Sequence, residues 1–181
     1  MKLKASLTVA LALSCLPLLA QDAARVAPPH APSSGDVAPP GEPGQRLEVS
    51  GVVYAADGRT PIAAASVYVY QTDARGYYRP EDAMANRNPR LKALLRTDER
   101  GRYSYRTIRP ASYPGTRVPQ HIHYEVTAEG RGARVFEIVF EDDPFLSAQV
   151  RADAARPGSF YSLRSMAPGG RITQDVVLPD R

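Results

Sequence analysis

Apolar and polar residues alternate with a period of two through most of this chain. Leu47-Glu48-Val49-Ser50-Gly51-Val52-Val53-Tyr54 is one such run. Ser66-Val67-Tyr68-Val69-Tyr70 is another, rich in β-branched and aromatic side chains. Arg102-Tyr103-Ser104-Tyr105-Arg106 alternates as a strand should, and Ile172 to Leu178 predicts a closing strand. Ile122 to Ala128 and Arg134 to Phe140 predict a hairpin across Glu129-Gly130-Arg131-Gly132. Asp and Gly mark turns at Ala56-Asp57-Gly58-Arg59 and Thr97-Asp98-Glu99-Arg100-Gly101. Two stretches break the period. Pro80 to Pro89 reads as an irregular loop with a helical turn around Glu81-Asp82-Ala83-Met84, and Pro144 to Ala155 as a short helix. The pattern predicts an all-β fold, a β-sandwich of short antiparallel strands with one short helix and long loops. Functional groups then belong on loops at one edge or in the mouth between the sheets.

The ends of the chain differ from this body. Residues 1–20 read as a secretory signal: Lys2 and Lys4 precede an apolar run from Ala5 to Ala20 that is short and broken by Pro17. That reading predicts a periplasmic or secreted protein with no membrane span in its mature form. Cys15 raises a lipoprotein alternative, but apolar Leu16-Pro17-Leu18-Leu19 follow it where a polar residue is expected. Cys15 is the only cysteine, so no intrachain disulfide can form and stability rests on an ordinary core. Residues 21–45 are rich in proline and read as a disordered tether, with His30 a solvated histidine inside it. The domain is expected over residues 46–181. The formal charge of +4 falls to +2 once Lys2 and Lys4 leave with the signal. Such a mild balance, without a basic run interleaved with aromatics, argues against a nucleic-acid partner.

Candidate chemistry centres on His121-Ile122-His123. In a strand, residues two apart share a face, so both imidazoles project into one space. Upstream stand Tyr113, in Ser112-Tyr113-Pro114-Gly115, and the pair Tyr77-Tyr78. Two histidines and two tyrosines make an N2O2 donor set. Tyrosinate is a hard anion that suits ferric iron better than zinc or copper(I).

At these residues the chain resembles the intradiol ring-cleavage dioxygenases, the family of protocatechuate and catechol dioxygenases. The similarity runs from about Gly51 to Pro144. It includes Val69-Tyr70-Gln71-Thr72-Asp73-Ala74-Arg75-Gly76-Tyr77-Tyr78, Gly101-Arg102-Tyr103, Tyr113-Pro114, Pro119-Gln120-His121-Ile122-His123 and Phe140-Glu141-Asp142-Asp143-Pro144. The Tyr-Pro and Pro-x-His-Ile-His pair is its most specific part. The resemblance implies non-haem Fe(III) held by Tyr78, Tyr113, His121 and His123, with Tyr78 preferred to Tyr77. It also implies an aromatic diol and O2 as substrates, ring opening between the two hydroxylated carbons, and a cis,cis-muconate product. Tyr113 would be the axial ligand that leaves when the diol binds, and Tyr70 would pack beside the site.

The match departs from the family at three places. Many members carry Arg three residues before the first ligand histidine. This chain has Val118 there and Arg117 one position earlier, so Arg117 is the candidate for stabilising negative charge. Glu137 stands where protocatechuate enzymes carry Gln near the substrate, and a carboxylate there would repel an anionic substrate. The helical dimerisation segment typical of catechol dioxygenases is absent. A non-enzymatic binding module of the transthyretin-like or carboxypeptidase-regulatory type is the alternative. Its recognition surface would be the tyrosines Tyr68, Tyr70, Tyr103 and Tyr105.

Overall fold

The computed structural model describes residues 25–80 and 82–181; the expected signal over residues 1–20 lies outside them. Among the described residues ten strands and one helix follow in the order β1 (Ser34–Asp36), β2 (Arg46–Tyr54), β3 (Ser66–Gln71), β4 (Leu91–Arg96), β5 (Arg102–Ile108), β6 (His121–Thr127), β7 (Arg134–Phe140), α1 (Ala148–Ala154), β8 (Tyr161–Arg164), β9 (Arg171–Thr173) and β10 (Val176–Val177). One sheet runs β1-β5-β2-β10, with β9 also paired to β2; the other runs β4-β3-β6-β7-β8. The architecture is the expected sandwich. The strands are not uniformly antiparallel, however: β1 on β5, β9 and β10 on β2, and β8 on β7 are parallel.

Alternation decides which side chains meet between the sheets. Val67 and Val69 of β3, Ile122, Tyr124 and Val126 of β6, and Phe136, Ile138 and Phe140 of β7 pack onto Leu47, Val49, Tyr103 and Tyr105 of the facing sheet. Tyr103, Tyr105 and Tyr124 are fully buried there, and the Tyr105 and Tyr124 hydroxyls meet at 2.6 Å. Tyr68 and Tyr70 are buried as well, in a separate cluster with Tyr78. These tyrosines therefore do not form an exposed recognition platform. By the same alternation His121 and His123 point away from the core, to the outer face of their sheet. The candidate site lies on that outer face, roofed by loops, rather than in the mouth between the sheets.

The tether expected over residues 21–45 is corrected over its described part. Ala27, Val37 and Ala38 are buried, and the latter two join the main core. Ser34–Asp36 pairs with Ser104–Arg106. Prolines remove N–H donors but leave carbonyls to be satisfied, and Arg96 meets that need by donating to Ala27 O and Pro28 O at 2.7 Å each. The closing strand divides into β9 and β10, and the expected helix forms over Ala148–Ala154, with the Ser147 hydroxyl accepting from the Val150 amide. Met84 lies in a turn whose amide is held by the Asp82 carboxylate, not in a helical turn. Among the described residues no helix is long and apolar enough to cross a membrane.

Replacing Val37 by Asp places an unpaired carboxylate in the core and should cost about 3 kcal/mol of stability. A urea denaturation midpoint equal to the parent's would show that the segment is a tether after all.

Candidate metal centre

Two loops carry the tyrosines, and both are tied down by polar contacts. The Asp73 carboxylate accepts from the Arg75 and Tyr77 amides at 2.8 and 3.0 Å. The Asp73 amide donates to Tyr77 O, and Asp73 O accepts from Ala111 N at 3.0 Å. Gly76 lets the loops touch: its φ is +89°, and a Cβ there would stand 2.0 Å from the Ser112 carbonyl oxygen. On the other flank the Asp143 carboxylate accepts from the Gln120 amide at 2.8 Å, which sets where β6 begins. Buried Gln71 adds a brace, donating to Ile108 O and accepting from the Thr107 hydroxyl.

This framework brings four donor atoms together. The Tyr78 and Tyr113 hydroxyls lie 2.6 Å apart. Tyr78 is 2.5 Å from His123 Nε2, and Tyr113 is 2.9 Å from His121 Nε2. The opposite ring nitrogens are both engaged. His121 Nδ1 donates to Pro119 O at 2.7 Å, and His123 Nδ1 faces Glu137 Oε1 at 3.1 Å. Partners of this kind fix which nitrogen carries the proton and aim the other at a metal.

The polar accounting favours a cation. With both imidazoles neutral, two phenolic protons must serve three contacts, so one contact always lacks a proton. A metal with bonds of about 2 Å holds neighbouring donors about 3 Å apart, close to the spacing seen here. Burial pushes the Tyr78 hydroxyl far above its usual pKa, and the hydrogen bond to Tyr113 adds to the shift. Burial raises Tyr113 too, against an opposing hydrogen bond from Tyr78. Burial lowers His121, keeping it neutral and able to ligate. Buried phenols that resist ionisation this strongly release their protons only to a strong Lewis acid.

His121, His123 and Glu137 also lie close enough for a two-histidine, one-carboxylate cluster. We assign the tyrosines in preference, because Glu137 sits behind His123 on the Nδ1 side, whereas both Nε2 atoms face phenols. Burial pushes the Glu137 carboxyl up, but the hydrogen bond from His123 and the nearness of both imidazoles outweigh it and hold the group low. Its role as a substrate-pocket wall is thereby reframed: its oxygen is occupied by a ring in the tetrad.

The other expected residues fall as follows. Tyr70 lies flat on His123, with ring centroids 4.3 Å apart and planes at 11°. Tyr77 points elsewhere, its ring under the Arg75 guanidinium. Arg117 does not join the cluster. It is exposed in the loop that follows Tyr113, with its guanidinium 5.5 Å over the Phe145 ring, and among the described residues it makes no hydrogen bond to the four donors. Sequence reasoning missed Asp73, Gly76, Asp143 and the Pro119 carbonyl. The Asp-x-x-Gly turn before Tyr78 was the one local signal available.

Residues 29–177 match the family model described as Dioxygenase. The chain belongs to the intradiol dioxygenase family. The chain is 34% identical over 160 residues to a protocatechuate 3,4-dioxygenase beta chain from Burkholderia cepacia, covering 78% of this chain and 68% of that one. It is 30% identical over 142 residues to a hydroxyquinol 1,2-dioxygenase from Rhizobium sp. strain MTP-10005, covering 70% of this chain but only 46% of that one. The chain thus spans about half the length of that relative. Among solved structures, the dioxygenase domain of a dioxygenase carbohydrate-binding protein fusion from Streptomyces sp. SirexAA-E superposes with a TM-score of 0.61 at 27% identity, over 85% of this chain and 94% of that one. A catechol 1,2-dioxygenase from Acinetobacter sp. ADP1 shares the fold, with a TM-score of 0.63 at 23% identity over 90% of this chain and 67% of that one. This family membership sets aside the transthyretin-like and carboxypeptidase-regulatory types as the family of the chain.

Two outcomes test the site. Gly76→Ala should separate the tyrosine loops and weaken iron retention by about tenfold or more, while the far-ultraviolet circular dichroism of the sandwich is unchanged; equal retention would show that the contact is dispensable. Metal uptake through Tyr78 and Tyr113 would expel two phenolic protons held above their ordinary pKa, so apparent iron affinity should rise by up to about a hundredfold per pH unit. Chelator competition at pH 6, 7 and 8, corrected for the chelator's own protons, measures this. A flat profile would mean that the tyrosines are not ligands.

Proposed function

We propose that this chain binds Fe(III) through Tyr78, Tyr113, His121 and His123, and that it cleaves a catechol-type diol between its hydroxylated carbons with O2. The observation that carries the reading is the convergence of two phenol oxygens and two Nε2 atoms at 2.5–2.9 Å. Two tyrosinates and one hydroxide would cancel the three charges of ferric iron, so the centre sits in a partly desolvated place without a large penalty. When bound, ferric iron supplies a redox-active Lewis acid for a chelating diolate. The product would be a cis,cis-muconate-type dicarboxylic acid that keeps both oxygen atoms, so no external reductant is consumed.

The chain's own residues divide the work by their burial. Tyr78 is 1% exposed and wedged against Tyr70 and Tyr113. It is the tyrosine that stays. Tyr113 is half-buried beside the exposed stretch Pro114–Val118, so it can swing out and carry a proton from the incoming diol. Tyr70 holds the His123 ring in plane. Glu137 keeps a negative charge behind His123, which favours a neutral catechol or hydroxyquinol over a diol bearing a carboxylate. Export is proposed from the signal-like residues 1–20.

Oxygen uptake by the iron-loaded protein should follow the order catechol or hydroxyquinol above protocatechuate, with a stoichiometry of one O2 per ring. Glu137→Gln should narrow the gap between protocatechuate and catechol in kcat/KM by about tenfold, equivalent to about 1.4 kcal/mol. Iron-loaded protein that consumes no O2 with any of the three diols would overturn the proposed activity.

A further inference from the structure

The sandwich is shut at one edge and open at the other. Where β1 meets β4, a Cβ added to Gly35 would come within 3.3 Å of Leu95, so the sheets touch. At the opposite edge β8 faces β10 across a cavity of about 790 Å³, within the size range of small-molecule sites. It lies on the core side of the second sheet, away from the tetrad. Ser162 pairs with Ile138, Arg164 with Phe140 and Arg134 with Val126, all core residues, so these polar side chains point inward.

The lining is unusual for an interior. Gln174, 3% exposed, accepts from the Ser162 hydroxyl at 2.8 Å and from Arg164 Nε at 2.9 Å. Arg164 also donates to its neighbour's carbonyl, Leu163 O. Arg134 donates to Val135 O and Ser159 O and lies 5.1 Å over the Phe136 ring. Burial lowers its pKa. Among the described residues neither guanidinium forms an ion pair. The carboxylates at the rim are otherwise engaged, Asp175 with the Val52 amide and Asp180 with Arg131. Two partly desolvated guanidiniums without a counter-ion, beside Phe136 and Val176, describe a receptor for an anion with an apolar body.

We propose that this cavity binds a small organic carboxylate, with Arg134 and Arg164 taking the head group and the apolar wall taking the body. The site is independent of the iron chemistry. Calorimetric titration of the full chain with hexanoate tests it, with 1-hexanol and inorganic sulfate as controls. Hexanoate should bind saturably at one site, 1-hexanol at least about tenfold more weakly because it lacks the charge-assisted hydrogen bonds, and sulfate at least about tenfold more weakly because it lacks the apolar body. Arg134→Gln and Arg164→Gln should each weaken hexanoate about tenfold or more, and Ala154→Trp, which fills the cavity without removing a charge, should block it. His121→Ala should leave binding intact, which separates this site from the tetrad. No saturable binding up to about 10 mM, equal binding of hexanol, or undiminished binding in Ala154→Trp together with the arginine variants would overturn the proposal.

Discussion

Two phenol oxygens held 2.6 Å apart, each beside an imidazole nitrogen, are the constraint on which this molecule is built. Without a cation the arrangement is short of protons and buries groups that resist ionisation. A cation would take up the two phenolates and both Nε2 atoms and relieve that shortage. The fold answers this need with backbone rather than with bulk. A carboxylate at Asp73 closes one tyrosine loop, and a glycine at 76 admits the other to van der Waals distance. A second carboxylate, Asp143, fixes Gln120, the residue just before the strand that carries both histidines. Each contact lies outside the donor set, yet each decides where a donor points.

The placement of the tetrad on an outer sheet face has chemical consequences. The core side of β6 is filled by Ile122, Tyr124 and Val126, so the histidine side is free to hold polar groups without disrupting the sandwich. Tyr70 and Glu137 come from the two strands flanking β6 and face His123 directly, as its register partners. One gives the ring a flat apolar support and the other gives it an acceptor. A three-strand patch therefore orients the His123 ring, while Tyr113 sits on a loop.

Much of this was legible in the sequence because alternation is a local signal. The strands containing Val49, Tyr103, Tyr124 and Ile138 follow it plainly, and the His-x-His spacing places both rings on one face. Three strands were not legible. Leu91-Lys92-Ala93-Leu94-Leu95-Arg96 consists of good helix formers, and pairing with β3 overrides their preference. Ser34–Asp36 sits among prolines that suggest disorder, but Arg96 and the β5 edge supply the partners those residues lack. Tyr161–Arg164 alternates in polarity with its arginine facing inward, which no surface pattern anticipates. Of the site residues, the histidines and tyrosines declare themselves by type and motif. Arg117 was assigned by sequence position alone, and one step along the chain set it over Phe145 instead.

The most direct measurement is the visible spectrum of the iron-loaded protein, alone and in the Tyr78→Phe and Tyr113→Phe variants. Two phenolates on ferric iron should give a broad tyrosinate-to-metal charge-transfer band. That band should shift and weaken when either tyrosine is replaced, and shift again when catechol displaces Tyr113. A fully loaded protein with no such band, or with one indifferent to both substitutions, would contradict the coordination sphere on which the account rests.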